Sequence, residues 1–137
     1  MDIIYTFIRN EQTQKMELGK THPQVDEWVA ADQQDRWAIL TAENPLGEEF
    51  PHFINKQRTQ VLREQLMQSD LHWVEGIGEA EGYPSEVVFL IWGLDLEEFA
   101  LLAYEMSQTA VVTGVLGGYA EVVTLQENTE FDSGVSE

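Results

Sequence analysis

Apolar and polar positions alternate along this chain in segments short enough to read one at a time. Residues 2–8 (DIIYTFI) form an apolar, β-branched run that predicts a strand. Over 22–34, Val25, Trp28 and Val29 recur at helical spacing, which predicts a short helix opened by Thr21 as N-cap, with Pro23 in its first turn. The run 37–42 (WAILTA) reads as a buried strand that stops at the turn Glu43-Asn44-Pro45. After a loop ending at Pro51, residues 53–68 are good helix formers, with Ile54, Val61, Leu62 and Leu66 as the apolar stripe. A strand over 71–78 and a Gly- and Glu-rich loop over 79–85 follow. Residues 86–93 (EVVFLIWG) are the most hydrophobic segment and the candidate central strand. Asp95 and Glu98 stand in a capping-box arrangement, opening a helix whose inner face holds Leu96, Phe99, Ala100, Ala103 and Met106. Two further strands, 110–114 and 119–125, flank Gly117-Gly118, a pair suited to a hairpin turn.

From Trp37 onward the order is strand, helix, strand, strand, helix, strand, with a hairpin return. That is the β-α-β-β-α-β order of a ferredoxin-like, two-layer α+β sandwich with an added C-terminal hairpin strand. The expected organisation is one domain over 1–125 and a disordered acidic tail over 126–137.

Composition narrows the function classes. The chain has 137 residues and 25 acidic against 7 basic side chains, a net charge of -18. Its 43% apolar content is enough for a folded core despite that charge. It has no cysteine, which removes disulfides, thiol catalysis and cysteine-ligated zinc together. No apolar run approaches a membrane span, and the start lacks a basic leader, so a cytoplasmic protein is expected. All seven Lys and Arg lie at or before Arg63, so the second half is acidic throughout. Such a field repels nucleic acid and anionic membranes, and neither is expected as a direct partner. A basic protein surface is the partner the charge favours; a merely solvated acidic surface is the competing explanation.

Most conventional site chemistry is poorly supported. His22, His52 and His72 show no metal-ligand spacing. Glu75, Glu79, Glu81 and Glu86 supply carboxylates for a hard cation but lack the alternating ligands of a calcium loop. Gly76-Ile77-Gly78 runs into Pro84 and a strand, with no helix N-terminus to hold a pyrophosphate. Ser69, Ser85 and Ser107 have no nucleophile-elbow context. Trp37, Trp73 and Trp92 read as core, and a buried Trp92 needs a partner for its indole N–H. No cofactor, metal site or catalytic residue is expected.

One constellation remains: Thr41 and Asn44 at the strand end, and Asn55 and Arg58 near the start of the following helix. An Arg and two amides at a helix N-terminus suit an anion or a nucleotide-like ligand. Turn chemistry with Arg58 paired to a Glu is the structural alternative. These residues, with the segments WAILTAENP, FLIWGLDLEEFALLA and SQTAVV, resemble a bacterial family known as domain of unknown function 3293. The resemblance spans roughly 37–114 and rests on Thr41, Ala42, Asn44, Pro45, Asn55, Arg58, Glu86, Gly93, Leu94, Gln108 and Ala110, with Val88 departing from a usual small polar residue. It implies no activity. It directs attention to Thr41, Asn44, Asn55, Arg58, Glu86 and Gln108 as ligand-binding candidates, with Arg58 and Glu86 as the pair to test.

Two function classes follow. The leading expectation is a non-enzymatic acidic binding or regulatory protein, in its sharpest form a DNA-mimic inhibitor, presenting Glu75, Glu79, Glu81, Glu97, Glu98 and Glu105 to a basic partner. The alternative is a small-ligand or nucleotide-binding domain, hydrolytic in one version, at the Asn44/Asn55/Arg58/Glu86 region. A scaffold exposing Phe50 and Phe53 is a third reading. The sequence sets no oligomeric state.

Overall fold

The apolar run at the chain start becomes strand β1 (Ile3–Arg9), and it turns back at once. Asn10 and Glu11 take φ of 52° and 67°, the positive pair of a two-residue primed hairpin turn, and β2 (Gln12–Met16) returns alongside. The computed structural model describes residues 2–125; the tail expected over 126–137 lies outside the described residues.

Helix α1 (Pro23–Ala31) buries Val25, Trp28 and Val29, as the spacing predicts. Its cap differs from expectation. Thr21 is held by a β-bridge to Tyr119, so His22 takes the N-cap position and makes no side-chain cap bond. The helix also stops three residues early, where Gln33 turns to a φ of 60°. Strand β3 (Arg36–Leu40) leads through a 3-10 turn at Pro45–Gly47 into α2 (His52–Met67). Then come β4 (His72–Ala80), β5 (Glu86–Trp92), α3 (Leu96–Glu105), β6 (Ala110–Val115) and β7 (Glu121–Thr124). At α3 the capping box between Asp95 and Glu98 is formed in both directions.

The chain is an α+β fold with one curled, seven-stranded antiparallel sheet in the order β2-β1-β4-β5-β3-β6-β7. Side-chain alternation along β3 and β5 divides the core in two. Trp37, Ile39, Leu90 and Trp92 join Val25, Trp28, Val29 and Met16 on one face. Ala38, Leu40, Phe89 and Ile91 join Leu62, Leu66, Phe99 and Ala103 on the other. The central strands are therefore buried on both sides, which is why they read as unbroken apolar runs. Helices α2 and α3 share one face and α1 covers the opposite one, so helices pack on both faces of the sheet rather than on one as a two-layer sandwich has it.

Helix α2 corrects the expected stripe. Its buried positions are Asn55, Thr59, Leu62 and Leu66, while Val61 is 52% exposed. The first half of its inner face is polar because it packs on the segment 41–50 rather than on the sheet. That segment sits where β3 ends and β5 and β6 begin, so α2 starts and α3 finishes at the same end of the sheet. Among the described residues, no helix is long and apolar enough to cross a membrane.

Candidate functional site

The segment after β3 keeps pairing with β5 by side-chain substitution. Thr41 Oγ1 donates to the Val87 carbonyl at 2.9 Å, and the Glu43 carboxylate accepts from the Val87 amide at 2.7 Å. These two side chains take the place of backbone ladder bonds that Pro45 and the turn interrupt. Asn44 then enters the left-handed region, φ 49° and ψ 62°, where Asn is among the few residues tolerated without large strain.

Asn44 is the centre of the network. Its backbone N–H donates to Asn55 Oδ1 at 2.8 Å, and Asn55 Nδ2 returns a bond to Asn44 Oδ1 at 2.8 Å. The same Asn44 oxygen accepts from the Phe50 amide at 2.9 Å, and Asn44 Nδ2 donates to Glu86 Oε2 at 3.2 Å. Arg58 donates from Nε to the Ala42 carbonyl at 2.8 Å and from a terminal nitrogen to the Met106 carbonyl. Gln108 reaches the Glu43 carbonyl at 3.1 Å, and the Leu46 amide donates to the Ser107 carbonyl at 2.7 Å. Leu46 and Ser107 also take positive φ, 60° each, so an irregular loop is fixed from α2, β5 and the α3–β6 turn together.

The structure thus brings Thr41, Asn44, Asn55, Arg58, Glu86 and Gln108 into one place. Arg58 and Glu86 do not form an ion pair there: the guanidinium serves two carbonyls, and the carboxylate serves Asn44. The donors an anion would need are directed at the protein's own backbone. Glu86 carries the perturbed titration of this network. Burial raises its pKa above the ordinary glutamate value, the Asn44 bond opposes that, and the nearby Glu43 charge adds to it.

The family model of proteins of unknown function, DUF3293, matches residues 40–111, which span β3's last residue to the start of β6 and carry the whole network. The chain belongs to this family. No curated protein and no solved structure matches it. The matched region holds α2, β4, β5 and α3 together with the loop that they fix.

The acidic candidates divide. Glu79, Glu81 and Glu105 lie at the loop end of the sheet, Glu97 and Glu98 at the opposite end where α3 begins. Glu75 pairs with Arg63 on α2 at 2.8 Å, and Glu98 is engaged in the capping box. Phe53 is exposed, and Phe50 is half-buried. Among the described residues, no group of three or more His, Asp or Glu is arranged to hold a metal ion.

A second cluster escaped sequence reasoning. At the far end of the sheet, Trp28 and Trp92 stack with centroids 6.5 Å apart, and the Arg9 guanidinium lies 5.3 Å and 5.2 Å from their rings. Asp32 accepts from Trp92 Nε1 at 2.8 Å and faces His72 Nδ1 at 3.4 Å, with His72 stacked on Trp92. Trp92 does find its indole partner, and Asp32 is the residue that supplies it. The sequence held only half of that signal, since no spacing links positions 32, 72 and 92. It is Trp37 whose buried indole N–H has no partner among the described residues.

Proposed function

We propose that this chain is a non-enzymatic binding domain that docks on a basic protein surface through the loop end of its sheet. One observation carries the reading. Asp2, Glu48, Glu49, Glu79, Glu81 and Glu105 are exposed at that end and have no cationic partner among the described residues. Against them stand only Lys15 and Lys56, because Arg58 is committed to backbone carbonyls. Exposed like charges at one end raise the local potential and favour encounter with a cationic surface. A DNA-mimic inhibitor is the sharpest form of this reading. The engaged donors of Asn44, Asn55, Arg58 and Gln108 count against the alternative of a nucleotide site, since the Arg58 guanidinium is already spent on backbone carbonyls.

The same reading takes β3 to β6 as a ferredoxin-like β-α-β-β-α-β unit, supported by the strand order β4-β5-β3-β6 and by α2 and α3 on one face. A cytoplasmic location belongs to it as well, resting on the absence of cysteine. The test is capture of partners on the immobilised protein at low and high salt, repeated with Glu48, Glu49, Glu79, Glu81 and Glu105 all changed to Gln. A basic protein held by the native chain at low salt, released at high salt and not held by the variant is the expected result. Screening shortens the reach of exposed charge to about 10 Å at 0.1 M, so salt release is integral to the idea. Equal capture by both proteins overturns it.

A further inference from the structure

On the face of the sheet that carries α1, Tyr5, Gly78 and Glu86 form one cross-strand row over β1, β4 and β5. The middle residue has no side chain, so a gap opens between a phenol and a carboxyl group. A Cβ at Gly78 would sit 3.2 Å from the Tyr5 ring and 3.4 Å from Val88, which marks the glycine as the floor. Ile3, Tyr83 and Pro84 complete a cavity of about 200 Å³. It lies at the acidic end described above, with Glu79 on its wall.

Two oxygens in this cavity have no hydrogen-bond partner among the described residues. Tyr5 is only 8% exposed, and its hydroxyl makes no hydrogen bond among the described residues. Burial, and then the Glu86 charge, push its pKa upward, so it stays a neutral hydroxyl. Glu86 gives one oxygen, Oε2, to Asn44, and its Oε1 has no hydrogen bond among the described residues. Both oxygens can still accept, so an occupant that carries donors can bridge them. Water also carries donors, but the surrounding charge selects further. Glu43 beside Glu86, and Glu79 on the cavity's rim, disfavour anions and favour a cation.

We propose that this cavity binds a guanidinium group, with Glu86 as its counter-ion, Tyr5 as a second acceptor and Gly78 as the floor. A guanidinium presents several in-plane donors, so it satisfies the carboxylate and the phenol oxygen together, and its flat face suits the rings of Tyr5 and Tyr83. An alkylammonium offers the same charge as a compact point and lacks the stacking face. This inference deepens the docking reading by naming the group received, and for the source of that group, an arginine of the basic partner, it rests on that reading.

The experiment titrates methylguanidinium, capped arginine (N-acetylarginine amide) and methylammonium into the full chain at low salt, followed by NMR. Native protein, Glu86→Gln and Tyr5→Phe are compared, with circular dichroism as the folding control. Saturable shifts at Tyr5 and Glu86 are expected with methylguanidinium. Binding should fall at least about tenfold in Glu86→Gln, where a charge-assisted bond is lost, and less in Tyr5→Phe. In the native protein it should also weaken as falling pH protonates Glu86, a dependence absent from Glu86→Gln, and this arm needs no variant to fold. No saturable shift, equal affinity for methylammonium, or unchanged affinity in Glu86→Gln overturns the site. Binding of capped arginine supports a partner side chain as the source; binding of methylguanidinium alone supports the site with a free small guanidine instead. Capture of a basic partner without methylguanidinium binding defeats the site and leaves the docking reading standing; the reverse pattern defeats the docking reading.

Discussion

Asn55→Ala is the perturbation that most directly probes the loop lock. Asn55 is only 7% exposed and makes three hydrogen bonds, one accepted from the Asn44 amide and two donated, to Asn44 Oδ1 and the Phe50 carbonyl. Each such bond is worth about 1 kcal/mol net, and the abandoned Asn44 amide adds a desolvation penalty of about 1 kcal/mol or more. Alanine returns about 0.5 kcal/mol through its better helix propensity in α2. The expected loss is therefore about 3–4 kcal/mol, or roughly 12–16 °C in melting temperature for a domain of this size. Urea denaturation followed by tryptophan fluorescence measures it. Asn55→Asp should cost more, because the new oxygen faces Asn44 Oδ1 and the Phe50 carbonyl, both acceptors. Asn44→Gly and Asn44→Ala separate the remaining contributions. Both lose the side-chain bonds, but alanine alone strains at a φ of 49° and should be about 1 kcal/mol worse. An Asn55→Ala variant within about 0.5 kcal/mol of the native chain would refute the assignment of this network to holding the loop.

Three other outcomes follow from the same geometry. Glu86 has a folded pKa raised above the ordinary 4.5, so its contribution to stability is lost as pH rises through the folded value. Glu86→Gln keeps an acceptor for Asn44 and should be more stable than the native chain at neutral pH, the gap closing as pH falls toward 4.5 in denaturation series. His22 behaves oppositely. Burial lowers its pKa below 6.5, Asp26 and Glu17 oppose that, and Nε2 accepts from the Glu17 amide at 3.1 Å. Its stabilisation is complete above pH 6.5 and lost as pH falls through the folded value, and His22→Gln should flatten that part of the stability profile. Finally, a Cβ at Gly76 would lie 2.3 Å from the Thr6 carbonyl and 2.4 Å from the Phe7 ring, whereas one at Gly78 meets only side-chain atoms at 3.2 Å or beyond. Gly76→Ala should cost about 3 kcal/mol in urea denaturation, and Gly78→Ala clearly less.

The elements that bury apolar residues on a regular period were legible before the structure. WAIL and VVFLIW announced the two central strands because both of their faces are covered, by α1 on one side and by α2 and α3 on the other. Strand β2 was not legible. Its sequence QTQKM buries only Met16, so its existence depends on the Asn10–Glu11 turn and on the edge of β1 rather than on a hydrophobic pattern. In α2 the apolar reading favoured Ile54 and Val61, while the real inner stripe begins with Asn55 and Thr59. Hydrophobic periodicity finds the face that meets a sheet; it is blind to a face that meets a polar loop.

The network residues were legible as a set but not in their roles. A sequence displays an arginine and two asparagines near a helix start, yet whether their donors are free depends on where carbonyls fall in space. Here Ala42 and Met106 present theirs to Arg58. Tyr5 lies outside the family-matched stretch 40–111, so no motif directs attention to it, and its meeting with Glu86 follows only from the pairing of β1 with β4 and of β4 with β5. The two features nonetheless touch at one bond. Asn44, fixed by Asn55 and the Phe50 amide, holds Oε2 of Glu86 and leaves Oε1 for the cavity. The loop therefore sets the orientation of a half-buried carboxyl group in the cavity, and loosening it should disturb that group without any change to the cavity's own walls.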